Sequence, residues 1–302
     1  MIIFEQRRDF GEKINATFSF LTENIRGLGL ALLYIVGPVA LIGGIISGYA
    51  QAGSLNDLIG DGSPQTPDRL FQFYGKFFSG PALVGFVLQL VGYILVSLVT
   101  YCYIQLYRRN PGRRIEVGEV WAAVQVFIGS GVMLTIATFF IAAFALMLLI
   151  LPGIYVGVCL SLATAILVFE RKGVGEAISR CFRLIADNWW ATFGLIIVMG
   201  IITGIMSSVF TIPAGILGGL FGAGVTKDIS LPLTILTALS SVGSSILQSL
   251  SATALAFQYF NLVEQKEGSS LDQAIDRIGQ TPTRSDDMPA SVRRATEEEG
   301  DY

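Results

Sequence analysis

The sequence predicts an all-α polytopic membrane protein with six transmembrane helices, and three observations predict it. Six apolar stretches, 28–50, 82–107, 126–150, 153–169, 191–211 and 233–260, approach the ~20 residues that cross ~30 Å of hydrocarbon. Of the 302 residues, 52% are hydrophobic and only 14% charged, with a mean hydropathy of +0.63, whereas a soluble domain carries about a quarter charged residues. If all six stretches cross, every Lys and Arg except Arg69, Lys76 and Lys227 falls on one side. That side is expected to be cytoplasmic, with both termini on it.

The integral membrane domain is expected over 1–279. It opens with an amphipathic interfacial helix at 11–26, whose Ile14, Phe18, Leu21 and Ile25 recur at i, i+4, i+7, i+11. A shift of 164 residues superposes Gly11, Glu12, Ile14, Phe18 and Asn24 on Gly175, Glu176, Ile178, Phe182 and Asn188. Ile178, Phe182, Ile185 and Trp189 repeat the stripe, and a fainter third start stands at Gly118-Glu119. The expected architecture is therefore an internal repeat of helix plus two-span hairpin. Between the first two spans, 51–80 is an outside loop: turn residues come first, then an aromatic stretch at 67–78 suited to the membrane interface. Leu151-Pro152-Gly153 makes the third and fourth spans a tight hairpin.

Small residues recur every four positions in three spans: Ala40, Gly44, Gly48; Gly153, Gly157, Ser161, Ala165; and Gly200, Gly204, Ser208. Such stripes let backbones approach closely, within one chain or between copies. The glycine-rich 212–224 is too short to cross and is expected to be re-entrant or interfacial, with Pro213, Gly215, Gly218 and Gly219 lining a cavity beside Gln248 and Gln258. After the last span, 264–279 is expected to be a docked helix, with Ser270 and Gln273 as a capping box, and 280–302 a disordered acidic tail.

The chemistry these residues exclude is broad. There is no histidine, which removes the commonest general base, the commonest zinc ligand and every Ser-His-Asp triad. Cys102, Cys159 and Cys181 have no metal spacing and read as packing residues. The span interiors hold no ionisable group of the kind that binds a coupling ion, which argues against an ion-driven mechanism. Their polar residues, among them Tyr103, Gln105 and Gln258, read as interhelical hydrogen-bonding groups. No catalytic, cofactor-binding or metal residues are expected, and no nucleic acid.

Leu151-Pro152-Gly153-Ile154-Tyr155, Glu170, the run Gly175 to Arg180, Leu184-Ile185 and Asn188-Trp189-Trp190 resemble the membrane domain of some glycerophosphodiester phosphodiesterases and of uncharacterised bacterial six-helix membrane proteins related to it. The closing Gln258 to Gly268 resembles the end of the stand-alone members. The resemblance implies a fold, with no activity carried over, because the phosphodiesterase's catalytic barrel has no counterpart here.

The expected function is a non-enzymatic integral membrane protein that organises lipid or a membrane partner, with a homo-oligomer as one form of that partner. Lys13, Arg26, Arg180 and Arg183 would meet anionic headgroups, at ~1 kcal/mol each. The alternative is a permease for lipid or a small molecule.

Overall fold

The computed structural model describes residues 3–59, 75, 79–110, 112–223 and 229–268. Among them the chain forms α-helices and one 3-10 turn, with no strand: α1 (Phe10–Ile35), α2 (Gly37–Ile59), α3 (Gly80–Arg109), α4 (Val117–Leu148), α5 (Ile150–Leu160), α6 (Ala163–Glu170), α7 (Val174–Ile185), α8 (Trp189–Gly222, after the turn Ala186–Asn188) and α9 (Ser230–Glu267). Five segments are long and apolar enough to cross a membrane: α3, α4, α5 with α6, α7 with α8, and α9. A sixth is added if α1 and α2, bent by 52°, are taken as one span.

The N-terminal segment departs from expectation. The helix that starts at Asp9, where Glu12 returns to the Asp9 N–H at 2.9 Å, does not stop at Gly27 but runs on to Ile35. The break falls at Val36 because Pro38 cannot donate to a carbonyl one turn earlier and its ring crowds that turn. Gly27 stays helical, and the Tyr103 hydroxyl occupies the space where a Cβ would stand.

The second copy of the stripe breaks elsewhere, at Ala186–Asn188, which the 164-residue shift places opposite 22–24 in the middle of α1. The matching segments are both helical, but their bends do not correspond. Nor is either apolar stripe left mainly for the bilayer, although Ile25 of the first is 68% exposed. In α1, Ile14, Phe18 and Leu21 pack on Leu195, Met199, Leu250 and Ala254. In α7, Ala177, Cys181, Leu184 and Ile185 are buried, with Ile178 and Phe182 against the same core.

Three further expectations change. The 212–222 stretch is a regular part of α8, which continues through Pro213 to Gly222; proline and glycine are tolerated where neighbouring helices replace the lost bond. Residues 264–267 close α9, which ends as Gly268 turns left-handed at φ 59. The rest of 264–279, most of the 51–80 loop and the 280–302 tail lie outside the described residues. The fourth span is two helices, interrupted at Ser161-Leu162, where the Ser161 hydroxyl bonds Val158 O at 2.7 Å.

α9 is the central rod, against which α1, α2, α3 and α8 pack. The first small-residue stripe serves the α2–α9 contact: a Cβ on Gly44 would stand 2.6 Å from the Ala238 Cα, and one on Gly48 2.8 Å from the Thr234 Cα. The stripe therefore acts within the chain. The main core sits where the basic residues gather, at the Arg109 end of α3 and the Glu267 end of α9, with Phe4, Phe20, Tyr107, Phe257 and Phe260 at its centre. Away from that core, protein cover thins: no residue of α4 beyond Leu134 is buried, and none of α8 between Met199 and Phe221.

Candidate functional site

Around the core, the basic end is laced by polar contacts that the sequence assigned to lipid. Lys13 is 4% exposed, and its Nζ donates to Gln258 Oε1 at 2.8 Å; Gln258 Nε2 in turn donates to Thr192 Oγ1 at 2.8 Å. This chain joins α1, α9 and α8. Burying an ammonium is tolerable only with such a partner. Lys13 is thus withdrawn from headgroups, and Gln258 is fully buried, with both ends of its amide bonded to protein.

Glu170 forms a second centre. Its carboxylate accepts from Arg180 Nε at 3.1 Å and Tyr259 OH at 3.0 Å, and pairs with Lys172. Arg180 also pairs with Glu267, and Lys266 bridges Asp187 at 2.9 Å and the Arg183 carbonyl at 2.6 Å. The ends of α6, α7 and α9 are thereby clamped together. Arg180 is committed to this clamp and not free for lipid, whereas Arg26 and Arg183 are exposed as expected. Glu170 carries the clamp; standing alone at a span end beside Arg171 and Lys172, it was the one signal for it in the sequence.

Near the N-terminus, Arg8 lies over the Phe257 ring at 5.1 Å and Arg108 over Phe260 at 4.3 Å, with Arg108 paired to Glu5. Burial pulls the Arg8 pKa down, against the opposing pull of Glu12. The Arg8 N–H donates to Asn261 Oδ1 at 2.8 Å. Elsewhere the polar span residues do bond between helices: Tyr103 OH donates to Asn24 Oδ1 at 3.2 Å and Gln105 Nε2 to Val168 O at 3.1 Å. The three cysteines are buried and unpaired, as packing residues are.

The clefts lie in the apolar bundle. The larger, about 400 Å³, opens between α3, α5, α8 and α9, and Gly157, Ser161 and Gly200 are in its walls. Gly157, Gly200 and Gly204 of the other two stripes thus face open space, a Cβ there meeting nothing within 4 Å, whereas Gly153 lies against Leu146 and Ala165 is buried. A second cleft, about 210 Å³, runs along α1 between Phe18 and Leu32 against Met206, Ile246 and Leu250. A third, about 350 Å³, includes Gly215 and Gly218 of the predicted cavity set. Pro213 and Gly219 sit on the exposed side of α8, and Gln248 is half-buried on α9. Among the described residues no three Cys, Asp or Glu side chains come together in a way that could hold a metal ion.

Long apolar helices packed around α9, capped by an ion-paired end, define an all-α polytopic membrane protein. Residues 84–262, more than half of the chain, match the family described as a domain of unknown function (DUF7847), and the chain belongs to that family. The matched segment runs from within α3 to Leu262 in α9 and takes in Glu170, Lys172, Arg180 and Tyr259 of the clamp, while Lys266 and Glu267 lie beyond it. No curated protein and no solved structure matches the chain.

Proposed function

We propose that this protein is a non-enzymatic membrane protein that organises lipid by seating acyl chains in the clefts between its helices. The carrying observation is the about 400 Å³ cleft, whose walls are set back by Gly157 and Gly200 where a larger side chain would fill it. Its hydroxyls are largely spent on the protein: Ser161 on Val158 O, and Ser251 on Thr203 at 2.9 Å. What the walls offer is apolar surface, which suits a hydrocarbon chain better than a polar solute. Exposed Arg26 and Arg183 would meet anionic headgroups at the basic end, which we place in the cytoplasm of a bacterial cell. The motif Leu151 to Tyr155, one of those that suggest kinship with the glycerophosphodiester phosphodiesterase membrane domain, contributes Ile154 to the wall of the same cleft.

The test is to purify the protein in native-lipid particles, identify the bound lipid, and repeat with Gly157→Leu and Gly200→Leu. Bound lipid should fall while thermal stability holds. An unchanged lipid complement, with loss of a solute flux in the same variants, would replace this reading with the permease.

A further inference from the structure

From Phe139 to Ile154, across the tip of the α4–α5 hairpin, no side chain is polar. No residue from Thr135 to Pro152 is buried, and at the tip Met147 is 88% and Leu151 80% exposed. The turn itself is a single residue, Leu149, in extended conformation. Its N–H reaches Ala145 O at 3.1 Å, and its carbonyl takes the Gly153 N–H at 3.1 Å, so the backbone needs no water to turn. Gly153 permits this: a Cβ there would stand 2.7 Å from the Leu146 Cα. A turn in water recruits Gly, Asn or Asp for solvated bends; this one is built for hydrocarbon.

The hairpin also stops short. The Tyr155 carbonyl accepts from Trp189 Nε1 at 3.3 Å, and the two rings stack at 5.8 Å. Trp189 opens α8 two residues after Asp187, a 79% exposed carboxylate paired with Lys266. Such a group belongs in water or among headgroups. From it to the tip the path is two residues, one indole, one hydrogen bond and five residues of helix, about 7.5 Å. Even fully stretched, and at any tilt, that path falls short of the ~30 Å of hydrocarbon. From the same Trp189, α8 runs on for 34 residues, about 50 Å.

We propose that α4 and α5 enter and leave the bilayer from the basic side, with Met147 to Leu151 ending among the acyl chains of that leaflet, so that the chain crosses four times, by α1–α2, α3, α8 and α9. Both feet of the hairpin, Arg113-Arg114 and Arg171-Lys172, stay on the basic side whether or not the tip crosses. The charge split is the same for four crossings as for six. This inference is independent of what the clefts hold.

The experiment uses the full chain reconstituted in phosphatidylethanolamine and phosphatidylglycerol vesicles, with single Met147→Cys or Leu149→Cys and, as controls, Ser63→Cys and Arg114→Cys. The native cysteines are buried, so the native background serves. An impermeant maleimide should label Ser63→Cys and Arg114→Cys from opposite sides, and the tip cysteines from neither. A membrane-permeant bimane on the tip should be quenched by lipids brominated along their chains. Labelling of the tip from the Ser63 side would overturn the proposal, as would a tip that is neither labelled nor quenched and so covered by protein. If Leu149→Cys fails to fold, the more exposed Met147→Cys carries the test.

Discussion

Lys13 and Gln258 stand 245 residues apart in the chain, yet the ammonium of one and the side-chain carbonyl of the other meet at 2.8 Å in the protein interior. The contact ties the first helix to the last, and it is asymmetric: the amide can do without the lysine more easily than the lysine without the amide.

Gln258→Leu should therefore destabilise more than Lys13→Met, because it leaves a buried charge with no acceptor, a loss of about 3–5 kcal/mol for a broken buried charged contact. The double variant should recover much of that. Denaturation of the four proteins in one detergent measures the coupling; equal single effects would show that the ammonium finds another acceptor.

At the Glu170 clamp, Arg180→Glu would face Glu170 and Glu267 with a like charge, whereas Arg183→Glu changes an exposed side chain. The first should lower thermal stability markedly, by about 1–3 kcal/mol for the lost charged hydrogen bonds alone. The second should leave stability nearly unchanged. Matching melting curves for the two variants would mean that the clamp adds nothing.

Glycines separate into two groups. Gly44→Ala would push a methyl into the α9 backbone and should disrupt the α2–α9 contact, whereas Gly204→Ala meets nothing and should gain up to about 1 kcal/mol of helix propensity. Opposite signs in a thermal unfolding series are expected.

Arg171 is the non-glycine residue with positive φ among those described, at φ 53, where it ends α6. Arg171→Gly relieves a left-handed penalty of roughly 1–2 kcal/mol and should stabilise the protein, most visibly as slower hydrogen exchange in the last turn of α6. Faster exchange there would mean that the arginine side chain itself holds the turn.

Fold class was legible because apolar length and basic asymmetry report directly on solvent. The amphipathic stripes misled because periodicity shows that a helix has two unlike faces without saying which one protein covers. In α1 the buried face is Lys13, Thr17, Phe20 and Asn24, more polar than the stripe beside it. The 212–222 stretch misled in the other direction: glycine and proline break helices in water, where the backbone has an alternative partner, but less so in a bilayer, where it has none. Gly37-Pro38 did carry the signal for the true break, inside a span drawn as continuous. The clamp drew Glu170, Arg180 and Glu267 from distant positions, and no spacing announces such a meeting.

The thinning of protein cover toward the far end of α8 makes lipid a structural component of one half of the molecule. Extraction into detergent removes the neighbours of Ile201, Ile205 and Val209 while leaving the packing around Phe257 intact. Such a protein loosens from one end. A preparation that keeps its helical content after delipidation will have a basic end that is still native and a distal half whose helices have lost their spacing. Any ligand measured in that state is measured on half a protein.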